Sequence, residues 1–219
     1  MRWLLELDAY QRWSHAARAS DGTIPVTTLD WLPRDLRERE ARRHLTESAV
    51  LACDALRRMP YAGLSSWSEA REALASFLSH SEGEIRARAN HTLISVVRHH
   101  DAAMSDALEH ARARKFEQDP VRAAMIEALV ALPVARFRPE HLTSVGVVIR
   151  DALDAADLST RTSAALQSLV TRLFRVEGSW GATWLATLLE SRGPISMWAS
   201  ERGSRRGTQS VSRPQPSRW

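Results

Sequence analysis

Apolar side chains recur at intervals of three and four residues from about residue 66 to about residue 190. The first stretch has its apolar positions at Ala70, Ala73, Leu74, Phe77 and Leu78. This spacing places them on one face of an α-helix. The β-branched run at 145–149 is locally strand-like, but it lies within a longer helical pattern. The pattern therefore predicts an all-α chain.

Two sequence signals predict where helices in this part of the chain begin. Ser66 is followed three residues later by Glu69, and Ser81 is followed by Glu84. A serine with a glutamate at this spacing forms a capping box, in which each side chain satisfies a backbone N–H of the first turn. We therefore predict helices that begin after Ser66 and after Ser81.

Prolines and aspartates predict three further helix starts. Pro120 follows Asp119, and the position suits a proline at the first turn of a helix, where its missing N–H costs nothing. Pro139 is expected to play the same part in the next helix. Asp119 and Asp157 are predicted to cap the helices that follow them.

The helical pattern repeats. Ile85 and Val121 are separated by 36 positions, as are Leu93 and Leu129, and Leu166 follows 37 positions later. The first helices of successive pairs are expected to begin near 67, 101, 139 and 180. A period of about 35 to 40 residues with two helices in each unit is typical of an α-solenoid, in which stacked antiparallel pairs bury a continuous core.

The stretch DPVRAAMIEALVAL (119–132) resembles the second helix of a HEAT repeat. That motif has an acidic residue before the helix, then a Val-Arg pair, then alanine and leucine at core positions. Residues 84–86 form a weaker copy, and 157–159 keep the acid and the leucine but lack the arginine. The resemblance covers roughly 66–190 and implies a right-handed α-solenoid of HEAT-like repeats, similar to bacterial proteins of this type.

The resemblance also implies roles for individual residues. Arg86 and Arg122 would occupy matching positions on second helices. In such repeats this arginine pairs with an acid of a neighbouring repeat, so we expect an inter-repeat ladder that includes Glu84, Arg86, Asp119 and Arg122. The second helices would line a concave face, where Arg88 and Arg161 are the candidates for unpaired side chains that contact a partner.

The two ends of the chain lack this regularity. We assign 1–65 to an irregular helical segment that could hold a degenerate first pair, 66–192 to the repeats, and 193–219 to a disordered basic tail. The tail contains Trp198 and Trp219, which are candidates for contact with a partner or with bases. Because the repeat pattern starts and stops abruptly, one hypothesis is that the chain is a fragment or a truncation of a longer repeat protein.

The net charge of +4 belongs to the tail. From residue 192 to residue 219 there are six arginines and one glutamate, which gives +5, so the preceding 191 residues carry −1. Phosphate neutralisation dominates nucleic-acid affinity, so the repeats are a poor candidate for a duplex-binding groove of the kind found in HEAT-like DNA glycosylases. Weak binding of nucleic acid through the tail stays open as an alternative.

The histidines are the first candidates for chemistry. His91, His99, His100 and His110 lie close in sequence, with Asp101 among them. Adjacent histidines on a helix point about 100° apart and rarely share one ion. His91 is more than two turns away from them. We therefore predict no metal site and interpret His99 and His100 as residues at a helix C-terminus, where the helix dipole favours them.

No other pattern indicates catalysis. Cys53 is the single cysteine and is interpreted as a small buried residue, and a single cysteine in the sequence excludes an internal disulfide. The glycine-rich phosphate loops and the G-x-S-x-G elbow are absent from the sequence. Trp180 and Trp184 are four residues apart and are expected in the core. We predict neither a catalytic residue nor a cofactor.

Together these observations favour a cytoplasmic, non-catalytic scaffold that binds a protein partner along a concave helical face. We expect a monomer, or part of a longer repeat array, without a membrane span. The alternative is a nucleic-acid-binding HEAT-like protein. A lyase of HEAT-like fold that acts on bilin cofactors is a third class, which nothing in the sequence singles out.

Overall fold

A computed structural model describes residues 2–48, 51 and 54–192. These residues form helices and connecting turns without any strand, which confirms the all-α prediction for this part of the chain. The α-helices are α1 (Arg2–Ala16), α2 (Val26–Leu29), α3 (Arg34–Glu47), α4 (Ala55–Ala62), α5 (Trp67–Leu78), α6 (Gly83–Ser95), α7 (Met104–Ala113), α8 (Asp119–Ala131), α9 (Leu142–Leu153), α10 (Thr160–Leu173) and α11 (Gly178–Arg192). Short 3₁₀ turns span Val96–Arg98, Asp101–Ala103, Val134–Arg136 and Pro139–His141.

The N-terminal helices surround a small core of their own. Helix α3 packs on α4, and the 17–25 loop lies against both. His44 ties this loop down: its Nε2 accepts a hydrogen bond from the backbone N–H of Ile24 at 2.8 Å, and its Nδ1–H donates to the carbonyl of Glu40 at 2.7 Å. The ring also stacks on Tyr61, with centroids 4.9 Å apart. A neutral histidine therefore closes the loop over the core.

The larger core is built from α6 to α11, and a smaller cluster of buried residues joins α4, α5 and α6. Helix α6 packs against α8, and α8 packs in turn against α10, so these three helices lie side by side. Further contacts join α5 to α6, α7 to α9, and α11 to α10. Trp184 of α11 is buried against Gly146 of α9, and Trp180 packs partly buried beside it, as expected for core residues.

The helix starts agree only in part with the sequence signals. The Ser66–Glu69 capping box is present at the start of α5. The predicted box at Ser81 is wrong: Glu82 precedes α6, and its side chain makes no capping bond. Arg86 of α6 instead donates to the carbonyl of Ser81 at 2.9 Å, so a side chain of the helix holds the turn that precedes it.

The two aspartates predicted to cap helices do not do so. Asp119 is the first residue of α8, after Gln118, and Ser159 rather than Asp157 caps α10 by accepting from the N–H of Thr162. The carboxylate of Asp119 accepts instead from the N–H of Ser159 before α10, and the carboxylate of Asp157 accepts from the N–H of Asp119 at the start of α8. The reason is that a carboxylate near a helix start can accept from any nearby N–H, and here the better donors belong to another helix.

No helix among the described residues is long and apolar enough to cross a membrane. The predictions for Cys53, for Trp198 and Trp219, and for the tail at 193–219 lie outside the described residues.

Candidate functional site

Helices α6, α8 and α10 lie side by side, and we call the side chains that they leave exposed or half-buried the three-helix face. Arg88 and His91 contribute to it from α6, Glu127 from α8, and Arg161 and Ser168 from α10. Arg88, Arg161 and Ser168 are exposed, and the other two are half-buried. The position of this face depends on how the three helices are held beside each other.

Arg86 links the beginning of α6 to the beginning of α8. Its Nε donates to Glu117 at 3.1 Å, and one Nη donates to Gln118 at 3.3 Å. The other Nη donates to the carbonyls of His80 and Ser81 at 2.8 and 2.9 Å. The guanidinium is thus shared between the turn before its own helix and the turn before the next one.

Arg122 makes the corresponding link between the beginning of α8 and the turn before α10. It donates to the carbonyl of Glu117 and to the carboxylate of Asp157, which stands before α10. Asp119 lies 3.6 Å from Arg122 and accepts from the N–H of Ser159 at 3.0 Å. Its carboxylate also accepts from the hydroxyl of Thr162 at 2.8 Å. Burial raises the pKa of Asp119, but these donors outweigh it, so the pKa lies below its ordinary value.

The ion pairs that Arg86 and Arg122 form differ in part from the pairing expected from the sequence. Arg86 pairs with Glu117 and Arg122 pairs with Asp157, each in the turn before the next helix, and Asp119 of the same helix also lies 3.6 Å from Arg122. Glu84 is exposed, and no ion pair between described residues includes it. Sequence reasoning missed Glu117 because it lies in the turn before α8 and outside the repeated motif.

A second set of arginines fixes the opposite ends of the same helices. Arg136 donates to the carbonyl of Arg98 at 2.7 Å, and Arg172 donates to the carbonyl of Leu132 at 2.9 Å. Each arginine satisfies a carbonyl at or near a helix C-terminus, where backbone acceptors lack partners within the helix. The three helices are therefore tied together at both ends, and the face between the ties is held in one arrangement.

Arg161 forms an ion pair across this face. Its Nε and one Nη donate to the two carboxylate oxygens of Glu127, both at 2.7 Å. This fork-like pair lowers the pKa of Glu127 and raises that of Arg161. Arg161 was expected to be unpaired, and in this structure it is paired. The pair is exposed, so its contribution to stability is small.

Arg88 lies at the edge of a cavity of about 440 Å³ at one end of the three-helix face. The cavity runs along α6 and is closed on its other side by α2 and α4. We call it the α6 pocket, and its lining residues are Val26, Thr27, Asp30, Pro60, Gly63, Leu64, Arg88, His91, Thr92, Ser95, Arg98 and His99. The lining thus combines two guanidinium groups, one carboxylate, three hydroxyls and two imidazoles with apolar side chains.

The electrostatics of the α6 pocket favour an anion. Within the described part of the chain, no hydrogen bond or ion pair includes the guanidinium of Arg88 or of Arg98. Asp30 is the one carboxylate in the lining, and His99 donates to it at 2.7 Å. Burial lowers the pKa of both His91 and His99, and neighbouring arginines lower it further, so both rings are neutral near pH 7. The remaining charge is two guanidiniums against one carboxylate.

The histidines are spread over separate contacts. His99 pairs with Asp30, His100 lies 3.6 Å from Glu38, and His110 contacts Asn90 through its Nε2 at 2.7 Å. Among the described residues, no group of three His, Cys, Asp or Glu side chains is arranged to hold a metal ion. His99 and His100 do follow the C-terminal turn of α6, as the sequence suggested.

Sequence reasoning identified Arg88 but missed Arg98 and the pocket between them. The signal was present in part, because positions 88, 91, 95 and 98 have the 3-4-3 spacing of one helix face. The other wall was not predictable, since it comes from α2 and α4, which precede α6 by about 60 and about 30 residues. Comparison with protein-family models, with curated proteins and with solved structures finds no match to this chain.

Proposed function

We propose that this chain is a non-catalytic binding protein of the HEAT-like, right-handed α-solenoid type, which holds a protein partner against the three-helix face. The observation that carries the proposal is the packing of α6, α8 and α10 side by side, with arginine contacts between neighbouring helices at both ends. Stacked second helices of this kind offer a long, preformed surface with many separate contacts.

The composition of the face supports a protein partner. It alternates arginine, histidine and glutamate with small hydroxyl and alanine positions, and Arg161 and Glu127 neutralise each other. Nucleic acid would require a strong excess of positive charge to replace counterions. A mixed polar surface with a few exposed arginines is more typical of a protein interface, where arginine is enriched.

The test is affinity capture from native cell extract after nuclease treatment, with two double variants. Arg88→Glu with Arg161→Glu reverses two charges on the three-helix face. Arg34→Glu with Arg112→Glu is the matched control, because both arginines are exposed and paired with an acid on their own helix, outside the face. Circular dichroism establishes that each variant is folded.

We expect the wild type and the control to recover the same defined protein, and the first variant to lose it. Equal recovery by all three chains would refute the three-helix face as the binding surface. Recovery that disappears with nuclease would replace a protein partner with nucleic acid, and deletion of 193–219 would then show whether the basic tail is responsible.

A further inference from the structure

The α6 pocket has features that the proposed function does not use. Arg88 and Arg98 both line it, ten residues apart on α6 and the 3₁₀ turn that follows, so they lie about 15 Å apart along the helix axis. Both are exposed, and between them the pocket presents His91, Ser95 and an apolar floor that includes Leu64.

The length of the pocket sets the scale of its ligand. The cavity of about 440 Å³ opens to solvent, and its two arginines lie about 15 Å apart along the helix axis. An extended peptide covers this distance in a few residues and presents its side chains singly, so each side chain can meet one group of the lining in turn.

The chemistry of the lining sets the order of side chains along such a peptide. In an extended chain, alternate side chains point to the same side, and four residues span about 13 Å. Acidic side chains at positions i and i+4 would therefore face Arg88 and Arg98 together. The side chain at i+2 would then meet the apolar part of the lining, which consists of Val26, Pro60 and Leu64 and suits an apolar residue.

We propose that the α6 pocket binds an extended acidic peptide segment of the form acidic–x–apolar–x–acidic, with the two carboxylates on Arg88 and Arg98. This inference rests on the proposed function and names the chemistry of the partner at one end of the three-helix face. Asp30 would repel a third acidic side chain near His99. Additional acids between the two would therefore not increase the affinity of the peptide.

The test uses a fluorescein-labelled peptide, Gly-Ser-Glu-Ser-Leu-Ser-Glu-Ser-Gly, with blocked ends, and measures fluorescence anisotropy with the full chain. The first control peptide carries glutamine in place of both glutamates. The second omits the serine after leucine, which places the two acids on opposite sides of the extended chain. Both controls are expected to bind at least about tenfold more weakly, the effect of losing a charge-assisted hydrogen bond.

Protein variants locate the binding. Arg88→Gln and Arg98→Gln are each expected to weaken binding of the first peptide about tenfold, for the same reason. Arg112→Gln, an exposed arginine on α7 away from the pocket, is expected to leave it unchanged. Because Arg88 and Arg98 are exposed, these substitutions leave the core intact, and circular dichroism checks this directly.

Three results would overturn the inference: no binding of the first peptide at millimolar concentration, equal binding of all three peptides, or binding by Arg88→Gln and Arg98→Gln that is as tight as binding by the wild type. An oligothymidine that displaces the peptide and depends on the same two arginines would also overturn it, in favour of nucleic acid. If the peptide fails while protein capture still depends on Arg88 and Arg161, the proposed function stands and only the peptide chemistry is rejected.

Discussion

Acid should destabilise this protein through His110, and the structure allows the size of the effect to be worked out. The imidazole is 8% exposed. Its Nε2–H donates to Asn90 at 2.7 Å, its Nδ1 accepts from Arg114 at 3.1 Å, and the ring meets the edge of Trp67 with centroids 6.0 Å apart. Each of these contacts suits the neutral ring. Burial, together with the nearby Arg114 and Arg71, lowers the pKa of His110 from 6.5 to about 3.

The sign follows from proton uptake in the two states. Below pH 6.5 the unfolded chain takes up a proton at His110, whereas the folded chain does not until the pH approaches 3. The unfolded state is therefore favoured as the pH falls, and the stability is fully present only above the unfolded pKa. Between pH 7 and pH 5 this one group should lower the free energy of unfolding by about 2 kcal/mol.

The assay is urea denaturation followed by far-UV circular dichroism at pH 7, 6 and 5, for the wild type and two variants. In His110→Gln the side chain can still donate to Asn90 and accept from Arg114, but it does not titrate. His15→Gln is the matched control, because His15 is exposed on α1. The wild type retains further histidines with lowered pKa, His44 among them, so all three proteins should lose stability in acid.

The informative quantity is the difference in pH dependence between the proteins. We expect His110→Gln to lose about 2 kcal/mol less than the wild type between pH 7 and pH 5, and His15→Gln to follow the wild type. Parallel curves for His110→Gln and the wild type would refute the reasoning, because they would mean that His110 is protonated as readily in the folded chain as in the unfolded one.

Three substitutions test the packing that positions the three-helix face, each by urea denaturation at pH 7. Gly146→Ala should lower the free energy of unfolding by about 1 to 2 kcal/mol despite the better helix propensity of alanine, because its Cβ would lie 2.9 Å from the Trp184 ring. Gly178→Ala, whose Cβ would have no contact under 3.8 Å, is the control and should be neutral or slightly stabilising. Asp119→Ala should cost about 2 to 3 kcal/mol, since it leaves two donors at the start of α10 without an acceptor; a cost near zero would mean that water replaces the carboxylate. Ser66→Ala should cost about 1 kcal/mol by removing the cap of α5, and an unchanged midpoint would contradict the cap seen here.

The helical class and the positions of the helices could be predicted from the sequence, because periodicity and capping are local. The stripe from Ala70 to Leu78 and the Ser66–Glu69 box depend only on residues within a few turns of each other, and both have their expected structure. The predictions that Ser81, Asp119 and Asp157 cap helices were wrong because the contacts near these helix starts are not local. The groups available to a side chain near a helix start include those of other helices, which a single sequence does not place.

The candidate site was decided largely by tertiary structure. From its position in the sequence, Arg88 was a candidate for contact with a partner, but its pocket requires Arg98 from the 3₁₀ turn after α6 and a wall from α2 and α4. Arg161 looked equivalent in sequence, yet Glu127 of another helix binds it. Local spacing fixes which face of a helix a residue occupies, whereas packing between distant segments determines whether its charge is paired, buried or exposed to a ligand.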